Sequence, residues 1–501
     1  MPVLKQINYL KILIMFKRIN ITSFFLVGAI ILSLSIPAGA QISQKKPNII
    51  LIQVDQMRPD HLNQMPKLMT LAKDGVVFEH AYTAAPLCQP SRTSIITGLY
   101  PSRTKIYGNQ TGPIHNDLRD ETFMNHLQNA GYFTALIGKH HYIDRYAVGI
   151  DVTKEDKAEI GKYGIDYLVQ CLDVGEHIPN NDNTENIDDY INYLKQKGLL
   201  EKYFNEVREG IRSGHHPLAP DDSEDGFIGL QAADFIKKYD KVEPFYLNVS
   251  FIGPHPPYMV PGEVKTKPED TKPPKLASPS SNTSRRRAVY ADMCANIDHY
   301  IGNIIETLES KKYLDNTVIL FVSDHGDNLG DYGIWDKRYF YEQSVGVPLV
   351  IYGKGVPGRN IRFGSVRSKA LVSTLDIYPT ILSVAGVDIS DLDRPGKNLI
   401  EIAKGNPSAL RSAVFSELGT CAMIRTASWK MVFDPEQGGT CYLFNLINDP
   451  EEKNNLSGMP GYEAITADLT SQLLSKYITN FQTTQGKEQI RLQKVRVRSK
   501  D

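Results

Sequence analysis

The sequence has almost no net charge, since 56 lysines and arginines face 57 aspartates and glutamates in 501 residues. This balance excludes a general electrostatic attraction to nucleic acid or to an anionic membrane surface. The chain also lacks internal repeats, and no second long apolar run follows the one near its N-terminus. We therefore expect a globular protein in which local charges bind any anionic ligand. The length favours one large domain and a smaller one.

The one long apolar run lies near the N-terminus. Basic residues precede it, it extends from Ile21 to Leu34, and the small residues Ala38-Gly39-Ala40 follow. This order is typical of a signal peptide, so we predict that residues 1–40 are removed on export to the periplasm or the medium. An uncleaved anchor is the alternative, and Met15 is a second candidate for the translation start. No cysteine lies near the cleavage site, which argues against a lipoprotein.

Cysteine is scarce, and five residues is an odd number for an exported chain. A disulfide between Cys421 and Cys441 would leave Cys171 and Cys294 as small buried groups. Cys88 then needs an explanation of its own.

Several apolar runs of strand length each lead directly into polar residues. The runs are Asn48 to Val54, Phe133 to Ile137, Phe245 to Phe251 and Thr317 to Ser323. The polar residues that follow them are Asp55-Gln56, Lys139-His140-His141, His255 and Asp324-His325. Uninterrupted apolar runs indicate strands buried on both faces, as in a parallel α/β sheet. Ligands bind beyond the carboxyl ends of such strands, so we expect these polar groups to share one cleft.

The remaining organisation is predicted from shorter patterns. Apolar spacing in Arg287 to Lys311 predicts a helix, and the Pro- and Ser-rich stretch from Thr266 to Arg287 predicts a surface loop. We place a catalytic domain at 41–390 and a smaller α+β subdomain at 391–501. Strands are expected there at Ala413 to Glu417, Met431 to Phe433 and Thr440 to Phe444. Its basic tail, Gln485 to Asp501, is interpreted as a solvated end, with polyanion binding as the alternative.

The segment from Pro86 to Gly98 carries the strongest motif, Pro-Leu-Cys-Gln-Pro-Ser-Arg-Thr-Ser-Ile-Ile-Thr-Gly. Pro90 suits the first turn of a helix and Gly98 suits its end, which places Cys88 at the positive end of a helix, where anions are favoured. The segment resembles the signature of type I sulfatases, which belong to the alkaline-phosphatase superfamily; Ile96 stands where leucine is common. The resemblance implies a large mixed, mainly parallel sheet flanked by helices, and a formylglycine made from Cys88 by a separate maturation enzyme.

The resemblance also implies one divalent metal ion. Asp55 and Gln56 match the family's first metal-binding pair, Asp324 and His325 match its second, and the modified Cys88 lies at the same ion. Aspartate and amide oxygens suit Ca²⁺, the imidazole favours Mn²⁺ or a similar metal, and Mg²⁺ is a further alternative.

Further matches imply the catalytic residues. Lys139 and His141 match the family's Gly-Lys-x-His motif, His255 its leaving-group histidine, and Lys337 a lysine that contacts sulfate. In the mechanism that this implies, the hydrated aldehyde attacks sulfur, His255 protonates the leaving alcohol, and His141 assists release of sulfate. Lys139, Lys337 and Arg92 stabilise charge on the sulfuryl oxygens.

The segment from Ser323 to Gly330 is similar to choline sulfatases, phosphonate monoester hydrolases and iduronate-2-sulfatase. Because export disfavours a choline sulfatase, we predict a carbohydrate sulfatase acting on glycosaminoglycan or other glycan fragments, with uronate 2-O-sulfate as a narrower hypothesis. Choline or aryl sulfates, phosphonate monoesters or phosphodiesters, and non-catalytic glycan binding remain alternatives.

Overall fold

Runs rich in valine, isoleucine and phenylalanine form the strands at the centre of the molecule. The computed structural model describes residues 46–109, 112–142, 155–177, 188–275, 280–353 and 364–478. The predicted signal peptide and the basic tail from Gln485 lie outside these residues. The described strands are β1 (Asn48–Val54), β2 (Gly75–Tyr82), β3 (Phe133–Gly138), β4 (Tyr167–Gln170), β5 (His215–His216), β6 (Phe245–Ser250), β7 (Val260–Pro261), β8 (Thr317–Ser323), β9 (Leu349–Tyr352), β10 (Val366–Ser373), β11 (Ala413–Leu418), β12 (Cys421–Thr426), β13 (Trp429–Asp434) and β14 (Gly439–Asn445).

Helices separate most of these strands along the chain. The described α-helices are α1 (Pro66–Leu71), α2 (Cys88–Thr97), α3 (Pro101–Thr104), α4 (Asn116–Arg119), α5 (Phe123–Asn129), α6 (Glu155–Gly161), α7 (Val174–His177), α8 (Asp189–Lys197), α9 (Leu200–Ser213), α10 (Glu224–Lys238), α11 (Ser281–Ser310), α12 (Glu342–Val345), α13 (Ile377–Ala385), α14 (Leu399–Ala403) and α15 (463–478). No helix of the described segments is long and apolar enough to cross a membrane.

Eight strands form one large sheet in the order β10-β2-β9-β8-β1-β6-β3-β4. All neighbouring pairs are parallel except the two that involve β9, which is antiparallel to both β2 and β8. The sheet is therefore mixed and mainly parallel, as predicted. The four strands predicted to end in polar residues, β8, β1, β6 and β3, are consecutive in this order.

Both faces of this sheet are buried, which explains the uninterrupted apolar runs. In β1, Ile50 and Ile52 belong to one hydrophobic core, while Ile49 and Leu51 belong to the other. All four side chains are fully buried. Helix α11 covers the first face and α13 covers the second. The sheet is thus the middle layer of three, with its ends left open for a site.

Helix α11 begins earlier than predicted and shortens the expected loop. Its first turn is capped by the Ser280 side chain, which accepts a hydrogen bond from the Thr283 backbone N–H at 3.1 Å. Arg287 is consequently helical and buried, and its guanidinium donates to Asp331 at 2.6 Å. The prediction of a solvated loop through Arg287 is therefore wrong, because a serine cap outweighed the loop-like composition.

The C-terminal region forms a four-stranded antiparallel sheet in the order β11-β12-β13-β14. Helix α15 packs on it through Leu469 and Leu473. Three of these strands were predicted, and β12 was not. All five cysteines are free thiols, so the suggested Cys421–Cys441 disulfide is contradicted. Strand β13 lies between the strands that carry them, and two strand spacings of about 4.8 Å exceed the reach of a disulfide.

Candidate active site

The carboxyl ends of the four consecutive strands deliver their polar residues to one place. Backbone hydrogen bonds continue the sheet beyond the strand ends: Asp324 N–H donates to Val54 O, Asp55 N–H to Gly253 O, and Lys139 N–H to Ser250 O, at 3.0–3.2 Å. The residues after β8, β1, β6 and β3 are therefore held side by side. The parallel arrangement, rather than their distance in sequence, brings them together.

Cys88 is the first residue of α2 and lies directly against this strand edge. The helix ends at Gly98, whose left-handed backbone (φ 68°) and contact with Tyr378 leave no room for a side chain. Cys88 Sγ lies 3.2 Å from His325 Nε2 and 3.8 Å from Asp55 Oδ1. The thiol is fully buried. Position 88 is thus at the positive end of a helix and among groups that can ligate a metal ion.

A compact set of donor atoms surrounds that thiol. One ligand atom from each of Asp55, Cys88, Asp324 and His325 lies within 4.8 Å of the others, and all four residues are buried. His325 Nδ1 donates to the Gly326 carbonyl at 3.0 Å, so Nε2 is the ring nitrogen that faces the cluster. Two carboxylates, an imidazole and an oxidisable sulfur suit one divalent cation.

Gln56, the fifth predicted ligand, makes other contacts. Its side-chain oxygen accepts a hydrogen bond from Lys337 Nζ at 2.7 Å, and its nitrogen donates to Asp327 and Asp336 at 2.8 and 2.9 Å. Its backbone is left-handed (φ 68°), a conformation that is rare for a residue with a side chain. Metal ligation by Gln56 therefore stays a prediction.

Arg92 holds the two acidic ligands in place. Its Nε donates to Asp324 at 2.8 Å and its Nη2 to Asp55 at 3.1 Å. Its Nη1 donates to Ser250 Oγ at 2.8 Å and to the Lys139 carbonyl at 3.1 Å. The side chain is 1% exposed. All three of its nitrogens are therefore engaged by protein oxygens, which makes Arg92 a positioning residue of the cluster.

Two lysines and two histidines line the same site. Lys139 Nζ lies 2.7 Å from Asp55 Oδ2, and Lys337 Nζ lies 2.7 Å from His255 Nε2. His141 and His255 both interact with the Cys88 side chain. The structure thus brings together every residue predicted to be catalytic.

The charges of this site shift the pKa values within it. Burial alone would raise the pKa of the Cys88 thiol, but Lys337, His325 and Lys139 hold it well below its usual range. Burial alone would lower the pKa of His325, but Asp324 and Cys88 raise it to about 9. The site therefore favours a negatively charged group at position 88.

Three residues that the sequence analysis missed support this site. Asp173 pairs with Lys139 at 2.6 Å, Asp225 binds the turn before His255, and Tyr258 donates to Asp327 at 2.5 Å. Each lies in a segment without a recognisable motif. The His140 ring lies 2.9 Å from Gln170 Nε2.

The sequence matches the family model described as Sulfatase over residues 47–387. This chain belongs to the sulfatase family. A second model, described as N-sulphoglucosamine sulphohydrolase, C-terminal, matches residues 330–479 of this sulfatase. The protein is therefore a sulfuric ester hydrolase of the alkaline-phosphatase superfamily, with the expected type I signature at Cys88.

Named relatives of this sulfatase act on different esters. A choline-sulfatase of Rhizobium meliloti is 30% identical over 85% of this chain and 85% of its own. An ulvan-active sulfatase of Formosa agariphila is 28% identical over 86% of this chain and 81% of its own. The phosphonate monoester hydrolase of Agrobacterium radiobacter has the same fold, with a TM-score of 0.72 and 23% identity over 87% of this chain and 96% of that one.

Proposed function

We propose that this sulfatase hydrolyses sulfate esters of carbohydrates. It uses one divalent cation, with Ca²⁺ as the first candidate, and a formylglycine that is made from Cys88. The observation that carries the proposal is the burial of Cys88 at the head of α2, 3.2 Å from His325 and 3.8 Å from Asp55. The same signature at the surface would be open to many interpretations. Here the cysteine is buried among candidate metal ligands and positively charged side chains, and a catalytic role accounts for that surrounding.

Asp55, Asp324, His325 and position 88 would hold the cation, with Gln56 as the predicted fifth ligand. The cation would supply a positive charge beside the sulfuryl oxygens, and the hydrated formylglycine would supply a nucleophilic oxygen with a second hydroxyl for expelling sulfate. Arg92 keeps both carboxylates oriented through its hydrogen bonds. That arrangement neutralises part of their mutual repulsion before the cation binds.

Lys139 and Lys337 bind and orient the sulfate group. Both ammonium groups are almost fully buried, so their charges act on the sulfuryl oxygens with little screening by water. Lys139 is itself held by Asp55 and Asp173 at 2.7 and 2.6 Å. A bound sulfate therefore meets two fixed cations rather than two mobile surface side chains.

His255 donates a proton to the leaving alcohol. Its Nδ1 lies 2.6 Å from the Pro256 carbonyl, which accepts that hydrogen and leaves Nε2 facing the site. Burial and Lys337 lower the pKa of His255, but Asp55, Asp173 and Cys88 raise it above its ordinary value overall. His141, which also acts on the Cys88 side chain, accepts the proton that sulfate release requires.

Carbohydrate esters are favoured over other substrates by two observations. The predicted signal peptide would export the enzyme to the periplasm or the medium, where sulfated glycans are available. One relative is named for activity on ulvan. Choline sulfate is the second candidate, because a relative at 30% identity is a choline-sulfatase.

Sulfate release from a substrate panel tests this function. The enzyme, matured by co-expression with a formylglycine-generating enzyme, is assayed on sulfated mono- and disaccharides, choline sulfate, 4-nitrophenyl sulfate and a phosphonate monoester. We expect release from a sugar ester, loss with Cys88→Ala, and loss with a chelator that Ca²⁺ reverses. Cys294→Ala is the matched control, since it removes another buried thiol outside the site.

Two results would contradict the proposal. Full turnover by Cys88→Ala would exclude the formylglycine. Faster hydrolysis of the phosphonate than of every sulfate would reassign the enzyme to phosphonate esters.

A further inference from the structure

The turn that carries His255 is fixed at several points of its backbone. After β6, His255 N–H donates to the Ile252 carbonyl at 3.2 Å and closes the turn. The Gly253 carbonyl accepts from Asp55 N–H at 3.2 Å, which connects the turn to the metal-binding edge. The position of the imidazole therefore depends on how residues 252 and 253 are held.

Asp225 binds the other side of the same turn. Its Oδ1 accepts hydrogen bonds from the backbone N–H groups of Ile252 and Gly253 at 2.9 and 3.1 Å. Gly253 allows this approach, because a β-carbon there would lie 2.4 Å from Asp225 Oδ2. The carboxylate thus satisfies two consecutive donors that would otherwise lack a partner beside the site.

Asp225 lies in the first turn of a helix, a position that favours a carboxylate. It is the second residue of α10, whose first turn is capped by Ser223, so the helix N-terminus stabilises its charge. Asp225, Glu224, His216 and His255 are among the residues that line one cavity of about 30 Å³. Burial and the charge of Glu224 raise the pKa of Asp225 to about 6, against the two backbone hydrogen bonds and His216. Asp225 is therefore ionised at neutral pH.

We propose that Asp225 is a positioning residue for His255, holding the leaving-group acid at the ester oxygen through the backbone of residues 252 and 253. The inference rests on the proposed role of His255 as proton donor. Asp225 touches neither substrate nor cation in this account, so its effect appears only in steps that need the imidazole proton.

Leaving-group dependence separates this role from a general loss of structure. A nitrophenolate leaves without protonation, whereas a sugar alkoxide needs a proton. The probes are 4-nitrophenyl sulfate and the sugar sulfate that the panel above shows to be hydrolysed fastest. For each variant, kcat and KM are measured on both esters at neutral pH.

We expect His255→Ala to lose about 100-fold more kcat on the sugar ester than on the aryl ester, a typical share for general-acid catalysis. Asp225→Ala should show the same pattern at about tenfold, with KM little changed, because the imidazole is displaced but present. Asp225→Asn should restore most of the activity, since its side-chain oxygen can accept both hydrogen bonds. Asp234→Ala, on the same helix and paired with Lys238 on the surface, should match the wild type.

Each other outcome has a distinct meaning. Equal losses on both esters for Asp225→Ala, or the same defect in Asp225→Asn, would refute the positioning role and leave the proposed function intact. Equal losses on both esters for His255→Ala would refute both, because His255 would then not be the proton donor. If Asp225→Ala fails to fold, Asp225→Asn is compared with the wild type. A tenfold loss of kcat confined to the sugar ester would then refute the proposal that hydrogen bonds accepted by the side-chain oxygen of residue 225 position His255.

Discussion

Replacing Arg92 by methionine should destabilise the protein far more than the loss of an ordinary ion pair. The guanidinium is 1% exposed and lies 2.8 Å from Asp324 and 3.1 Å from Asp55, which are both fully buried. Methionine fills similar volume but leaves two buried carboxylates without the guanidinium that joins them. Removing one partner of such a buried pair costs about 3–5 kcal/mol of unfolding free energy.

The assay is urea unfolding of the chelator-treated protein, with the slope against urea compared between variants. The matched control is Arg212→Met, whose pair with Glu209 has side chains 76% and 70% exposed. That control should lose less than about 1 kcal/mol, as exposed pairs generally do. Saturating Ca²⁺ should recover part of the loss in the Arg92 variant, because the cation supplies positive charge to the same carboxylates.

A loss below about 1 kcal/mol for Arg92→Met would refute this reasoning, since it would give a buried pair the energetics of an exposed one. A large loss that Ca²⁺ leaves unchanged would also count against it. In that case, the destabilisation would arise from packing rather than from the two carboxylates.

Two further predictions concern groups outside the catalytic centre. Burial alone would raise the pKa of Glu224, but His216 and Tyr203 lower it from 4.5 to about 2, so its contribution to stability is present above pH 4.5 and is lost as the pH falls toward 2. Glu224→Gln should therefore reduce the free energy of unfolding by roughly 3 kcal/mol at neutral pH, and this deficit should shrink in acid. If urea titrations show the same deficit at every pH, ionised Glu224 is not the source of the stability. Cys421 and Cys441 should both be alkylated when the protein is denatured without reduction, and mass spectrometry would detect the two modifications. A protein about 2 Da lighter than the reduced chain, with neither thiol alkylated, would instead establish the disulfide that the sheet geometry excludes.

The strands that carry the site could be predicted because their signal is local. The bounds of β1 and β8 agree with the apolar runs from Asn48 to Val54 and from Thr317 to Ser323. Continuous hydrophobicity reports burial on both faces, and a polar residue directly after such a run reports a strand end. The start of α11 was mistaken, because composition weighed more in that prediction than the cap at Ser280.

Strands with weaker patterns escaped prediction. In β10, exposed and partly buried residues occupy the first half, and β12 is a short segment of mixed polarity. The reversed direction of β9 was also outside the reach of periodicity, because strand direction depends on pairing with β2 and β8. Such pairings join segments far apart in the chain, which no local window contains.

The sequence by itself determined the chemistry of this sulfatase: a cysteine at a helix start and polar residues placed directly after buried strands. Only the tertiary structure decided which side chains are hydrogen-bonded to the residues of the site. Arg92 bridges two carboxylates that are 37 and 232 positions away, and Asp225 holds a turn 27 positions away. Contacts of this kind depend on how strands and helices pack, and a hydrogen bond between distant residues leaves no periodic trace in the chain.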